Sequence, residues 1–323
     1  MKRRILFGWD FGAGNGHAVI LREIARHFPP ESHDLLFAMR YPVTAISVGI
    51  DPRLVIQAPD NALRPADQPL SKPVARSTYG EFVCEALIGP GRDFAQRLAG
   101  WDSIITAFKP DAIVAEYAPA LSLFARGRVP VAAIGSGYSL PPAGMAEFPS
   151  LTKKPLPRFA SEAELVERLN GYLRKAGALP IDRLPQLNAA DTHGLMTLPL
   201  LDPYLEFRDG GCLGISHSGP APVPVQAAAG FIAYFGEPWQ LNGAFLDGLL
   251  GAGIAGQAFL GPPLRRTVKR MAGSSITIND RPFDIAREMP GRAVAIHMGT
   301  LGFAAAAACA GIPQFMLPQH QEN

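Results

Sequence analysis

A glycine-rich turn late in the chain has the residue types that bind an anion. Residues 297–302, with the sequence HMGTLG, separate an apolar run from a run of alanines, which predicts a strand, a turn and a helix. Backbone amides at the start of a helix bind phosphate well, so this turn could hold a diphosphate. An ordinary tight turn is the alternative. The predicted phosphate-binding residues are His297, Gly299, Thr300, Leu301 and Gly302.

Two polar residues at the end of the sequence follow the next predicted strand, Gln314–Leu317. Glu322 and Asn323 combine a carboxylate with an amide, and such a pair can accept from and donate to vicinal hydroxyl groups. Ligands of open α/β sheets lie beyond the carboxyl ends of the strands. We therefore expect this pair to contact a sugar beside the phosphate site, the alternative being a frayed chain end.

A histidine and a glutamate follow two predicted strands in the first half of the chain. His17 comes after the apolar run Arg4–Trp9 and a glycine-rich loop, and Glu116 ends the run that begins at Ala112. Histidine exchanges a proton near neutral pH, so His17 could act as a general base. Glu116 could fix its tautomer and stabilise the imidazolium. The alternatives are a histidine that caps a helix and an exposed carboxylate at a strand end.

Strands alternate with helical patterns in both halves of the chain, which predicts doubly wound parallel sheets. The predicted domains are 1–209 and 230–323, and a linker rich in glycine and proline covers 210–229. Strands are predicted at 4–9, 34–38, 54–57, 112–115, 131–134, 230–235, 255–260, 275–278, 293–296 and 314–317.

Composition narrows the class of protein. The chain has 323 residues, 48% of them hydrophobic and 18% charged, which is typical of a globular protein of two domains. A formal net charge of +2 gives no reason to expect nucleic acid as a partner. Three cysteines far apart in sequence argue against a disulfide framework, so we expect a cytoplasmic protein. No apolar run approaches the ~20 residues of a membrane span.

The loop before His17 also raises the possibility of dinucleotide binding. Residues 12–16 read GAGNG, so the third glycine comes one residue earlier than in the Gly-x-Gly-x-x-Gly fingerprint. The second predicted strand is followed by Met39-Arg40-Tyr41, without the acidic residue that would bind a ribose. The loop therefore argues against a nicotinamide enzyme.

The closing stretch resembles the nucleotide-sugar binding motif of family 1 glycosyltransferases, which have the GT-B fold of two Rossmann-like domains facing a cleft. Gly16-His17 resembles the family's catalytic loop, residues 110–116 resemble the strand whose acidic residue orients that histidine, and 275–285 resemble the segment that contacts the nucleotide base. Relative to this pattern, the sequence ends before a final segment. The closing motif is carried by His297, Gly299, Gly311, Ile312, Pro313, Gln314, Pro318, Glu322 and Asn323.

The resemblance implies an inverting, metal-independent glycosyltransferase of the hexosyltransferase type. It implies a UDP- or dTDP-sugar as donor, no other cofactor, and a small-molecule or lipid acceptor. His17 would be the general base, assisted by Glu116. Gly236 would lie near the diphosphate, and Arg281 and Pro282 near the base. The alternatives are a nucleotide-sugar epimerase or lipid-linked sugar transferase of the same fold, and a non-catalytic protein that binds nucleotide sugars.

Overall fold

The computed structural model describes residues 1–60, 76–215, 228–236, 243–261, 269 and 271–318. The chain divides into two compact units, Met1–Ser216 and His217–Asn323. This division falls inside the stretch 210–229 that the sequence marks as a linker.

The first unit is built on a parallel sheet of six strands. Its strands are β1 (Arg3–Trp9), β2 (His33–Met39), β3 (Val55–Gln57), β4 (Ala112–Glu116), β5 (Val131–Gly135) and β6 (Thr192–Leu195). Its α-helices are α1 (Gly16–Ala25), α2 (Pro42–Ser47), α3 (Tyr79–Ile88), α4 (Phe94–Phe108), α5 (Pro119–Ala125) and α6 (Glu162–Lys175).

The first strand lies in the middle of this sheet, whose order is β3-β2-β1-β4-β5-β6. Chain order reverses between β1 and β4, and open sheets bind ligands beyond the carboxyl ends of the strands at such a point. The register pairs Gly8 with Ala115, so that Trp9 and Glu116 follow at the carboxyl edge. The two loops that leave this edge are therefore neighbours.

Burial on both faces explains the continuous apolar sequences of the central strands. Leu6, Phe7 and Trp9 are completely buried in one core that the surrounding helices cover. Helix α6 begins with a capping box, in which the side chains of Ser161 and Glu164 accept hydrogen bonds from each other's backbone amides.

The second unit contains a parallel sheet of five strands in the order β11-β10-β7-β8-β9. Again the first strand of the unit, β7, is central, and chain order reverses between β7 and β10. The strands are β7 (Phe231–Tyr234), β8 (Gly256–Phe259), β9 (Ile276–Asn279), β10 (Val294–His297) and β11 (Gln314–Met316). The α-helices of its described part are α7 (Gly243–Gly251), α8 (Ile285–Glu288) and α9 (Leu301–Cys309).

The predicted strands all exist, with bounds that shift by one or two residues. The sequence analysis missed β6, α2 and α8, because short elements carry too few residues for a clear period. The sequence pattern also predicts a helix at 263–271, and this stretch lies almost entirely outside the described residues. Within the described ranges, no helix has both the length and the apolar character needed to cross a membrane.

Candidate functional site

The structure brings His17 and Glu116 together at the point where the first sheet reverses its chain order. Nδ1 of His17 lies 2.8 Å from Oε2 and 3.0 Å from Oε1 of Glu116. The glutamate side chain is 1% exposed and the histidine side chain is 15% exposed, so the carboxylate lies behind the ring. An ionised carboxylate only accepts hydrogen bonds, so Nδ1 carries the hydrogen and Nε2 is the basic nitrogen.

Aromatic rings restrict the orientation of the His17 imidazole. The Trp9 ring stacks on it with centroids 5.1 Å apart, and the Tyr117 ring lies 5.5 Å away. Gly12 adopts a φ of +76°, and a Cβ atom there would lie 2.7 Å from the Tyr117 ring and 3.0 Å from Nε2 of His17. The loop can therefore approach the imidazole this closely only because residue 12 is glycine.

A buried carboxylate that the sequence analysis missed connects the two loops of this site. Oδ2 of Asp10 accepts hydrogen bonds from Nε1 of Trp101 at 3.0 Å and from the Leu121 amide at 3.2 Å. Burial raises the pKa of Asp10, whereas the nearby Arg97 charge and these hydrogen bonds act to lower it. Asp10 thus ties the end of β1 to the start of α5, and the only sequence signal for it is a charged residue directly after a buried strand.

The predicted phosphate turn lies at the corresponding reversal of chain order in the second sheet. Gly299 has a φ of +97°, and the first helical hydrogen bond of α9 joins the Ala304 amide to the Thr300 carbonyl at 2.9 Å. Thr300 occupies the N-cap position, yet its hydroxyl does not cap the helix. In the described part of the chain, no group accepts from the amides of Thr300, Leu301 or Gly302. These donors suit an anion.

His297 is completely buried and is linked to two groups of its own domain. Its Nδ1 accepts the Gly299 amide hydrogen at 3.0 Å, and its Nε2 lies 2.9 Å from Oε1 of Gln314. The Phe303 ring, in the first turn of α9, lies 5.1 Å from the imidazole. Burial lowers the pKa of His297, and the hydrogen bond to Gln314 opposes this effect. The structure therefore gives His297 a role inside the turn.

The other predicted donor-binding residues lie at or beyond the same edge of the second sheet. Gly236 follows β7, next to the strand that carries the turn. Arg281 and Pro282 are exposed after β9, which is three strand spacings from β10 and therefore ~14 Å away. Glu322 and Asn323 lie outside the described residues.

The two sites differ in how far apart their groups lie in the sequence, because His17 and Glu116 are 99 positions apart whereas the phosphate turn is the continuous stretch 297–302. The first pairs a basic nitrogen with a buried carboxylate, which is an arrangement for removing a proton from a hydroxyl group. The second offers backbone amides and a helix N-terminus, which is an arrangement for binding and stabilising phosphate charge.

Comparison with known proteins supports the fold. No protein-family model matches the chain, and no curated protein matches it in sequence. The glycosyltransferase VinC in complex with dTDP is similar in structure, with 15% identity, a TM-score of 0.59, and coverage of 98% of this chain and 81% of that chain. The glycosyltransferase SnogD from Streptomyces nogalater is 15% identical with a TM-score of 0.59, and the match covers 100% of this chain and 83% of that chain. CalG4, the calicheamicin glycosyltransferase, is 14% identical with a TM-score of 0.61, and the match covers 98% of this chain and 79% of that chain.

At this level of identity the likeness shows the fold. The chain consists of two Rossmann-like parallel-sheet domains and has the GT-B fold of these glycosyltransferases, so the fold class predicted from the sequence is confirmed. The resemblance to this class of structure, inferred from the closing motif, is confirmed with it.

Proposed function

We propose that the chain is an inverting glycosyltransferase that moves a sugar from a UDP- or dTDP-sugar to an acceptor hydroxyl group without a metal ion. The observation that carries this proposal is the contact of 2.8 Å between His17 and the buried Glu116 at the reversal of the first sheet. A histidine oriented by a buried carboxylate is what a general base for a hydroxyl group requires.

The proposed reaction is a single displacement. Nε2 of His17 takes the proton of the acceptor hydroxyl, while the hydrogen on Nδ1 remains bonded to Glu116. The acceptor oxygen forms a bond to the anomeric carbon as the bond from that carbon to the diphosphate oxygen breaks, which inverts the configuration. The Glu116 carboxylate stabilises the imidazolium formed in this step.

The N-terminus of α9 would bind the leaving diphosphate. The amides of Thr300, Leu301 and Gly302 and the Thr300 hydroxyl would donate hydrogen bonds to the phosphates as negative charge grows on them, and the helix dipole would stabilise the same charge. The similar VinC structure contains dTDP, and the rhamnosyltransferase SpnG was solved with thymidine diphosphate, which supports a dTDP-linked donor. Gly236, Arg281, Pro282, Glu322 and Asn323 remain the proposed contacts to the rest of the donor.

The first experiment measures nucleotide binding with a thermal-shift panel of UDP, dTDP and their glucose conjugates. A ligand at ~100 times its dissociation constant stabilises the protein by about 2.7 kcal/mol, which raises its melting temperature measurably. Absence of a shift with every nucleotide contradicts the proposal.

The second experiment tests the base. His17→Ala should abolish sugar transfer and leave nucleotide affinity unchanged, because the proposed nucleotide site lies in the second unit. His27→Ala is the matched control, since His27 is exposed just after the same helix. Transfer by His17→Ala at the wild-type rate would show that another group is the base. Chromatography of the products separates transfer from epimerisation of the nucleotide sugar and from binding without reaction.

A further inference from the structure

Gln314 stands out as a polar residue of β11 whose side chain reaches the phosphate turn through a histidine. β11 pairs with β10 in parallel, and Gln314 lies opposite Ala295. From this position its Oε1 lies 2.9 Å from Nε2 of His297. The chain of contacts continues from Nδ1 of His297 to the amide of Gly299, at 3.0 Å.

These two contacts determine where the imidazole carries its hydrogen. A backbone amide can only donate, so Nδ1 of His297 must offer its lone pair to Gly299. The neutral ring then carries its hydrogen on Nε2, which donates to Oε1 of Gln314. Because burial lowers the pKa of His297, the neutral ring is also the form that its surroundings favour.

We propose that Gln314 is a positioning residue for the phosphate turn, because it holds His297 in the tautomer that binds the Gly299 amide. The inference rests on the proposed function for its consequence, the binding of a nucleoside diphosphate. It assigns the Gly299 amide to His297 and leaves the amides of Thr300, Leu301 and Gly302 as the donors to phosphate. With hydrogen on Nδ1, His297 would face the hydrogen of the Gly299 amide, and the turn would open.

Gln314→Glu is the informative substitution, because it keeps the shape of the side chain and adds a negative charge beside His297. The carboxylate favours the imidazolium, in which both ring nitrogens carry hydrogen, so the turn should lose its contact as the pH falls. We expect the dTDP affinity of this variant to weaken about tenfold from about pH 8 to about pH 6, while the wild-type affinity changes by less than about twofold. Gln96→Glu, the same change on the exposed face of α4, is the control and should behave like the wild type.

Imidazole ¹⁵N NMR tests the tautomer without any ligand. In the wild type the His297 signals should show hydrogen on Nε2 alone, and Gln314→Leu should shift the ring towards hydrogen on Nδ1. A wild-type ring with hydrogen on Nδ1 overturns the inference even if nucleotides bind, and so does a Gln314→Glu variant whose dTDP affinity does not depend on pH. If the tautomer is as expected and neither dTDP nor UDP binds the wild type, the proposed function fails while the tautomer assignment stands.

Discussion

The charge of Glu116 should account for most of the assistance that His17 receives. Glu116→Gln removes that charge, and its amide oxygen can still accept the Nδ1 hydrogen that the carboxylate holds at 2.8 Å. The variant therefore keeps the ring in place and separates the effect of charge from the effect of orientation. Glu116→Leu removes both.

The geometry gives the size of the effect. With the imidazolium and carboxylate centres ~4 Å apart and an effective dielectric constant of ~20, opposite charges attract by ~4 kcal/mol. This attraction develops only when the ring takes the proton, so its loss should raise the barrier by about the same amount. A barrier higher by ~4 kcal/mol corresponds to a rate about 10³-fold lower.

The assay is the release of nucleoside diphosphate from the nucleotide sugar that the binding panel identifies, with and without an acceptor. Nucleotide affinity should be the same in both Glu116 variants and the wild type, because the proposed nucleotide site lies in the second unit, and thermal denaturation of each variant controls for misfolding of the first unit. Glu116→Leu should transfer at least as slowly as Glu116→Gln. A Glu116→Gln enzyme whose transfer rate lies within about threefold of the wild type would refute the reasoning, because its orientation is kept while ~4 kcal/mol of attraction is lost.

Two further predictions concern stability. Gly12→Ala should lower the free energy of unfolding, measured in urea, by about 2–4 kcal/mol, because the cost of the positive φ and the overlap of the new Cβ with Tyr117 add together. Gly14→Ala is the control: its φ is +102° and the space around it is open, so it should lose only ~1–2 kcal/mol. Equal losses in the two variants would contradict this reasoning. Burial, helped by Glu147 and Glu81, raises the pKa of Glu162 from 4.5 to about 7, against the opposing effects of the Phe148 amide and Arg158.

The protonated form of Glu162 is thus favoured in the folded state. It contributes to the free energy of unfolding in full below about pH 4.5, and this contribution is lost as the pH rises past about 7. The loss should be roughly 1–2 kcal/mol, because the group is only half-buried. Glu162→Gln should remove this loss of stability, which thermal denaturation measured from about pH 4.5 to about pH 7 would detect. If the variant shows the same dependence of stability on pH as the wild type, Glu162 is not the group responsible.

The sequence predicts much of this fold because its strong signals are local. Apolar runs bounded by glycine mark the buried strands, and the serine and glutamate of a capping box mark the start of α6. Local signals do not predict the pairing of His17 with Glu116, because 99 positions separate the two residues. Only the order of strands in a reversing sheet, inferred from a known family, places the two loops side by side.

Contacts that depend on register escaped prediction. Gln314 lies within the stretch quoted for the closing motif, but its contact with His297 follows from the pairing of β10 with β11 and from the direction of each side chain. Asp10 was missed for the same reason, since its partners Trp101 and Leu121 come from two different helices. A sequence pattern gives the residue types of such a site, whereas their partners are decided by packing.

The two sheets have the same reversal of chain order but carry different chemical groups at that point. In each, the first strand is central and chain order reverses beside it, so two loops leave the carboxyl edge as neighbours. In the first unit these loops bring a base to a buried carboxylate; in the second, the reversal places a helix N-terminus with uncapped amides beside Gly236. Each site also has a buried group behind it, Asp10 in one and His297 in the other, and each accepts a hydrogen bond from a backbone amide. Substitutions of Asp10 or His297 should therefore change the geometry of the loops, and should change the chemistry only through that geometry.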